Sequence, residues 1–381
     1  MTTDPTKMLG QRIAHLRKGL HLKQADLAEK VGLGSPQIVS QIEKGEREVK
    51  AWELARLAEV LFVSVSDLLA PEEPEAAPAF LWRVLPSEES VRSLKEAKLL
   101  KRCEEYALLE DLSGTTRPGQ FPQKKVDVRS VDFHTAARLA EDIRTEFGLG
   151  ERPAASLEKT LEERYGVKIW YDELDEGSAA ATIGRFGPAI LMNRKQAPWR
   201  RNYNFAHELF HLITWDSIPA ERLQKDSGVW ERIEKLANSF ASCLLLPAEM
   251  VRLEIEGRTV DNQVEGSDLI ELARKFEVST EALLYRLLNL KLATKESVES
   301  LLADEGFRRL DKSTMATQWW DPSDLPERFV RLAFVAYQKG RLSRARLAEL
   351  LNSTLPDVTT TLLRYGLDDR EIQKSIALRA A

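Results

Sequence analysis

Two features are scarce in this chain of 381 residues, and each scarcity excludes a class of protein. The chain has only two cysteines, Cys103 and Cys243, which are too few for a disulfide scaffold or a cysteine-built metal site and suit a reducing compartment. No apolar run reaches the ~18 residues of a membrane span, and the polar first residues lack the apolar core of a signal peptide. The sequence therefore predicts a cytoplasmic protein that does not associate with a membrane.

An excess of positive charge is also lacking. The 55 basic residues are outnumbered by 60 acidic ones, so the net charge is −5 and no global field attracts nucleic acid. Any such contact must come from a local patch. One acid-free basic run, Arg328–Arg346, is by default a solvated helical face, and its alternative is a contact with nucleic acid or an acidic partner.

The chain does contain one motif with a defined chemistry, the HExxH sequence of His207, Glu208 and His211. Residues four apart lie on one face of a helix, so both imidazoles can reach one cation, with Glu208 beside them as a general base. Neutral imidazoles suit Zn²⁺, and Mn²⁺ is possible with a carboxylate as third ligand. The alternative is a pair of buried helical histidines with satisfied hydrogen bonds.

The third ligand must come from elsewhere, because no further histidine is well placed. A carboxylate on the following helix is the better candidate, and Glu234 lies beside the apolar stripe of that helix. Asn238 is one turn further on the same side and can support a ligand histidine through a hydrogen bond. Glu231 is the rival of Glu234, although its position suggests a solvated charge in the first turn of the helix.

These two segments, NFAHELFHLIT and IEKLANSFASCLLLP, resemble the ImmA/IrrE-type metallopeptidases. The resemblance covers about 131–290 and implies His207, His211 and Glu234 as zinc ligands and Glu208 as general base. It also implies a protein substrate, typically a helix-turn-helix repressor. One departure is Phe210, where the family commonly has glycine, and this bulk beside the site is expected to narrow the substrate cleft.

A second resemblance lies near the start of the chain, in KQADLAEKVGLGSPQIVSQIEKGERE from Lys23. This pattern is similar to the phage-repressor-like (XRE) helix-turn-helix, with Gly32 as the turn residue. The spacing from Gly32 to Ser40 is one residue longer than the commonest version. The neighbouring stretch Pro5–Ala25 holds five basic residues and no acid, which favours phosphate contacts.

A repressor-like module predicts two sets of DNA contacts. The residues expected at base edges are Ser35, Gln37 and Gln41. Those expected at the phosphate backbone are Lys23, Gln24, Lys44 and Arg47. A homodimer reading two half-sites of an operator is the expected form. The alternative is a protein-interaction module of the same fold that does not read DNA.

The predicted fold is multidomain and mainly α, with a small α+β unit around the HExxH motif and a five-helix type of helix-turn-helix domain at the N-terminal end. The expected domains are the helix-turn-helix domain over 1–70, a linker with short helices over 71–130, the metallopeptidase domain over 131–250, a helix-turn-helix-like subdomain over 251–310 and a C-terminal helical domain over 311–381.

The leading hypothesis from the sequence is a regulatory zinc endopeptidase fused to a DNA-binding domain, which cleaves a helix-turn-helix repressor in stress, DNA-damage or mobile-element responses. Two alternatives stay open. The first is a transcription factor whose metallopeptidase fold acts as a sensor with little proteolysis. The second is an antitoxin-like module held in a complex with a partner.

Overall fold

A computed structural model describes residues 4–70, 77–115, 120–220, 223, 226–315 and 319–369 of the chain. These residues are mainly helical, with a small mixed sheet, as the sequence predicts. They form two compact units. The first runs to Glu105 and takes in Asp175–Gly177, and the second comprises Tyr106–Leu174 and the residues from Ser178 onwards.

The first unit begins with five helices, which confirms the expected five-helix type. They are α1 Pro5–Gly19, α2 Gln24–Val31, α3 Pro36–Lys44, α4 Ala51–Val60 and α5 Val65–Leu69. Their core is aliphatic, with side chains from all five helices such as Ile13, Leu27, Ile42, Leu57 and Leu68. Burial of these faces is the main stabilisation of such short helices, because isolated helices of this length are marginal in water.

After the helix-turn-helix helices come a three-residue strand and a long helix, β1 Phe80–Trp82 and α6 Glu89–Ser113. Where the sequence suggests short helices, α6 is continuous over 25 residues. Its buried positions include Leu99, Cys103, Tyr106 and Leu109. Their spacing of three or four residues maintains one inward stripe, so nothing in this stretch ends the helix.

The second unit opens with the elements that surround the HExxH motif. They are α7 Phe133–Phe147, α8 Ala154–Lys159 with a π-helical continuation Thr160–Arg164, β2 Lys168–Asp172, β3 Ala179–Gly184, β4 Gly187–Asn193, α9 Pro198–Ile213 and α10 Ser227–Leu245. Strand β4 lies between the other two. It pairs in parallel with β2, from Lys168 opposite Ala189, and antiparallel with β3, from Ala179 opposite Met192.

Both faces of these strands are largely apolar, which is typical of a sheet covered by helices. Helix α9 packs against β3 and β4, and it also packs against α10, which in turn packs against α7. The sheet and α7 therefore hold α9 and α10 as a rigid pair, and the candidate site lies between these two helices.

The rest of the second unit is helical. Its helices are α11 Ala248–Glu256, α12 Gly266–Lys275, α13 Thr280–Asn289, α14 Lys295–Ala303, α15 Glu305–Met315, α16 Glu327–Gln338, α17 Arg344–Leu350 and α18 Val358–Arg364. Among the described residues, none of the helices combines the length and apolar character needed to cross a bilayer.

The basic run Arg328–Arg346 is only in part the solvated face expected by default, because several of its side chains have partners in the fold. Arg328 is buried and binds Glu110 at 2.6 Å, and Arg331 binds Glu163 at 2.6 Å. Lys339 donates to the Ser113 carbonyl at 2.6 Å. These partners lie more than 150 positions away in sequence, so only the tertiary fold supplies the acids that the local sequence lacks.

Candidate metal centre and nucleic-acid interface

The two histidines of the HExxH motif lie side by side within the core. Helix α9 begins at Pro198. Proline suits this position because the first N–H groups of a helix have no intrahelical partner to lose. The helix is buried along almost its whole length. His207 is 0% exposed and His211 is 3% exposed. Their Nε2 atoms are 3.2 Å apart, so both rings face one point, as expected for residues four apart on a helix.

The carboxylate of Glu234 on α10 lies at that same point. Its Oε2 is 3.3 Å from His207 Nε2, and its Oε1 is 3.1 Å from His211 Nε2. Glu231 lies elsewhere, since its side chain is 70% exposed and binds Lys235 at 2.7 Å. Among the described residues, His207, His211 and Glu234 form the one group of three with ligand atoms close enough to hold a metal ion.

The hydrogen bonds around this group fit a divalent cation. Asn238 Oδ1 lies 3.1 Å from His207 Nδ1, so the amide oxygen accepts the Nδ1 proton and leaves the Nε2 lone pair available. Oε1 of Glu234 is buried and receives no well-aligned hydrogen bond, although His211 Nε2 is near. Two imidazole nitrogens and a carboxylate oxygen in this arrangement lie close enough together to hold one metal ion.

The protonation state of Glu234 agrees with this arrangement. Burial of its carboxyl group opposes ionisation, but the close contacts with the His207 and His211 rings outweigh burial and lower the pKa of Glu234 to about 2. The carboxylate is therefore ionised at neutral pH. An anionic oxygen beside two imidazoles is a donor set that suits Zn²⁺ and also Mn²⁺.

Two aromatic residues support the site in ways that the sequence does not specify. The Tyr203 hydroxyl donates to the Asn238 carbonyl at 2.8 Å and so ties α9 to α10. The half-buried ring of Trp230 is nearly parallel to His211, with an interplanar angle of 6° and ring centroids 6.2 Å apart. The only sequence signal for Trp230 is its place one helical turn before Glu234.

Glu208 and Phe210 lie on the same helix as the two histidines. Glu208 follows His207 in sequence, and its side chain is 0% exposed. Its carboxyl group is therefore inside the protein. The Phe210 ring is also buried and packs against Phe240, with ring centroids 5.5 Å apart. The core thus accommodates the extra bulk of Phe210, which the sequence analysis expects beside the site, narrowing the substrate cleft.

The predicted DNA-reading residues lie on and around α3 in the first unit. Gly32 ends α2 with φ +82°, and the four residues Gly32–Ser35 connect it to α3. Gln37 and Gln41 are exposed and four apart, hence on one face of α3, while Ser35 is half-buried at its N-cap position. Lys23 at the start of α2 and Lys44 at the end of α3 are exposed.

The other two predicted phosphate contacts already have partners within the unit. The Gln24 amide donates to Glu43 at 2.7 Å, and Glu43 also holds Arg17 at 2.6 Å. Arg47 binds the buried Glu53 through both terminal nitrogens, at 2.9 and 2.7 Å. A phosphate contact by Gln24 or Arg47 would compete with these bonds, so Lys23 and Lys44 are the freer cations.

Two family models match the chain. Residues 162–288 match the model described as IrrE N-terminal-like domain, Peptidase_M78, and residues 13–68 match a helix-turn-helix model. The first match contains α9 and α10, and the second contains α2 and α3. They confirm the architecture expected from the sequence, a helix-turn-helix segment followed by a segment of a metallopeptidase family.

No curated protein matches the chain. A solved Mycobacterium tuberculosis transcriptional regulator is similar at 20% identity, over 49% of this chain and 51% of that protein, with a TM-score of 0.31. The match spans about half the length of that regulator.

Proposed function

We propose that this protein is a regulatory, metal-dependent endopeptidase that also binds DNA, and that it cleaves a protein of the helix-turn-helix repressor class. The observation that carries the proposal is the convergence of His207, His211 and Glu234 on one point, with Glu208 next to His207 in sequence. The helix-turn-helix and metallopeptidase-family matches support the same combination of roles.

In this proposal the three side chains hold Zn²⁺, with Mn²⁺ as the second choice. A divalent cation bound there would supply Lewis acidity that polarises the carbonyl of a peptide bond. Asn238 keeps the His207 ring oriented and its Nε2 unprotonated through the bond to Nδ1. The Tyr203 hydroxyl keeps Asn238 in place by donating to the main-chain carbonyl of Asn238.

Glu208 is the general base in this proposal. It takes a proton from the attacking water and delivers it to the nitrogen of the leaving amine, so that the peptide bond breaks and the carboxylate keeps its charge over the cycle. The buried surroundings of Glu208 exclude bulk water, which would otherwise compete for the proton.

The helix-turn-helix unit directs the peptidase to operator DNA in this proposal. Ser35, Gln37 and Gln41 read base edges, and Lys23 and Lys44 contact phosphates, with Gln24 and Arg47 as weaker candidates because of their internal bonds. A homodimer would place two α3 helices on two half-sites.

The test is a search for a defined cut. The chain is co-expressed with the helix-turn-helix proteins encoded beside it, and the products are analysed by mass spectrometry. We expect one new pair of fragments with wild type and none with Glu208→Gln. Fragments that persist unchanged with Glu208→Gln would refute the assignment of the base.

A second candidate function is a sensor or partner-binding unit that does not cut, as in an antitoxin-like complex. The buried position of both imidazoles favours it, because buried side chains are less accessible to an extended peptide. Co-purification of an intact neighbouring protein with the wild-type chain, without any fragments, would support this function over proteolysis.

A further inference from the structure

A cavity of about 400 Å³ lies in the second unit, next to the N-terminal half of α9. One wall is formed by α8 and its π-helical continuation, and the opposite wall by residues 320–327. It shares Asn202, Glu277 and Trp320 with a neighbouring cavity of about 260 Å³. Single π-helical turns often mark functional positions, so the chemistry of these walls is informative.

Two carboxyl groups on the first wall have no cationic partner among the described residues. Glu158 accepts a hydrogen bond from the Tyr171 hydroxyl at 2.6 Å, and Glu162 accepts one from the Tyr106 hydroxyl at 3.0 Å. Within the described part of the chain, neither has a basic side chain at ion-pair distance. Arg201 and Arg328 act on them only from further away.

These carboxyl groups are poorly stabilised as anions by the protein itself. Burial raises the pKa of Glu158, and burial together with the neighbouring charges of Glu158 and Glu163 raises the pKa of Glu162 to about 8. A buried carboxylate without a counter-ion is unfavourable, and a cation that entered the cavity would supply one.

A third polar group on the cavity wall uses only part of its hydrogen-bonding capacity. Asn202 on α9 is 7% exposed and lines both cavities. Its amide nitrogen donates to the Glu277 carbonyl at 3.0 Å, whereas its amide oxygen receives no hydrogen bond from the described residues. This oxygen is an acceptor available to a donor within the cavity.

We propose that this cavity binds a small organic cation that carries a primary ammonium or guanidinium group. Glu158 and Glu162 are its anionic partners, and the amide oxygen of Asn202 accepts one of its N–H groups. The exposed rim, which includes Trp320 and Glu327, forms the entrance.

A metal ion fits these walls less well than an organic cation. The volume is that of a small molecule, and among described residues only His207, His211 and Glu234 bring three ligand atoms within 4.8 Å of one another. Aromatic rings on the wall suit an organic cation, although Arg201 already covers one face of Trp320, 4.1 Å from its centroid.

The cavity is separate from the metal centre but touches the same helix. Asn202 lies five positions before His207 on α9, so an occupant of the cavity would contact the helix that carries the HExxH motif. The proposal concerns binding alone and is independent of proteolysis.

Calorimetric titration of the whole chain tests the proposal. We expect 1,4-diaminobutane or agmatine to bind with one site per chain, and 1,4-butanediol, which has the same carbon skeleton without the charge, to give no binding. Glu158→Gln and Glu162→Gln should each weaken binding by about tenfold or more, the scale of one charged hydrogen bond. Glu281→Gln, an exposed position on α13, is the matched control and should bind as wild type does.

Two results would overturn the proposal. The first is that neither cation binds, or that 1,4-butanediol binds as tightly as the cations do. The second is unchanged affinity in both cavity variants. Thermal unfolding shows whether those variants fold. The unfolding temperature should be unchanged or raised, because each substitution replaces a carboxyl group whose ionisation burial disfavours with a neutral amide. If a variant fails to fold, the comparison of cation with diol on wild type still decides.

Discussion

At the scale of single residues, the ligand set depends on which of two glutamates faces the histidines. Glu234 and Glu231 are three positions apart on α10, yet one carboxylate lies 3.1 Å from His211 and the other binds Lys235 in solvent. Three residues are about one helical turn, so Glu231 lies one turn closer to the start of α10 than Glu234, and its carboxylate pairs with Lys235 instead of the histidines.

We therefore expect Glu234→Ala to lose the metal and Glu231→Ala to retain it. Purified wild type should carry about one zinc or manganese ion per chain, because two imidazoles and a carboxylate suit either ion. His207→Ala and His211→Ala should behave like Glu234→Ala. Elemental analysis after dialysis measures the metal content. Full occupancy in Glu234→Ala together with loss in Glu231→Ala would reverse the assignment.

Glu208→Gln separates the base from the metal site. The amide keeps the size of the side chain and its buried position but cannot accept the proton, so cleavage should slow by ~100-fold or more while the metal stays bound. Single-turnover cleavage and metal analysis on the same preparation check both parts. Equal rates for the variant and wild type would assign the chemistry to another residue.

Glu162 makes stability depend on pH. Its folded pKa of about 8 lies above its unfolded value near 4.5, so the folded state holds the proton more tightly. The resulting stabilisation is fully present below about pH 4.5 and is lost as pH rises through about 8.

Relative to Glu162→Gln, wild type should therefore lose stability between pH 5.5 and pH 9, by on the order of a few kcal/mol at most. Urea unfolding of both proteins at several pH values measures the difference, and the titrations shared by both proteins cancel. Parallel curves would show that Glu162 keeps its ordinary acidity in the folded protein.

At the scale of elements, several helices end in the same way. In four places a Leu-Ala pair precedes a residue with positive φ by five and four positions, at Gly32, Phe62, Glu277 and Asn352. In each, the N–H of the next residue bonds to the carbonyl of the alanine, as Leu33 does with Ala28. This closure satisfies the last carbonyls of the helix and turns the chain.

Two glycines of the helix-turn-helix should therefore respond differently to alanine. Gly32 has φ +82° and open space around it, so Gly32→Ala should cost only the left-handed backbone conformation, about 1–2 kcal/mol. Gly45 has φ +74°, and an added Cβ would lie 2.8 Å from Lys7 Cα, so Gly45→Ala should cost more.

Hydrogen exchange of core amides in the first unit measures both free energies within the whole chain. The order of the two effects is the decisive quantity. A larger loss for Gly32→Ala than for Gly45→Ala would mean that the close contact with Lys7 relaxes freely.

At the scale of the whole molecule, DNA binding depends on a local basic region, because the negative net charge of the chain opposes it. The chain carries −5 overall, yet α1 and the start of α2 have no acid between Pro5 and Ala25. Phosphate binding should therefore be confined to this end of the first unit and should weaken steeply with salt.

We expect the whole chain to enrich a short, two-fold symmetric motif from random duplexes. Lys23→Ala should weaken binding to all sequences alike, whereas Gln37→Ala should lose ~1–3 kcal/mol at particular base pairs. Arg47→Ala should have the smaller effect of the two basic substitutions, because Glu53 already holds Arg47. If no motif is enriched and these variants bind alike, the module is a protein-docking domain.

Local periodicity in the sequence determined most of the elements and the shared face of the two histidines. The i and i+4 spacing of His207 and His211 is a property of any helix, and the apolar stripe of α10 includes the fully buried Ile233, Phe240 and Leu244 as the pattern predicts. The five helices of the first unit follow from the same kind of pattern.

Only the tertiary structure decided which distant groups meet. Glu110 neutralises Arg328 across 218 positions, and Glu163 binds Arg331 across 168. The cavity that joins Glu158, Asn202 and the segment from Trp320 has no sequence signature. Periodicity determines which face of an element is buried, whereas the partner of that face depends on long-range packing. The ion pairs of the second unit arise from that packing.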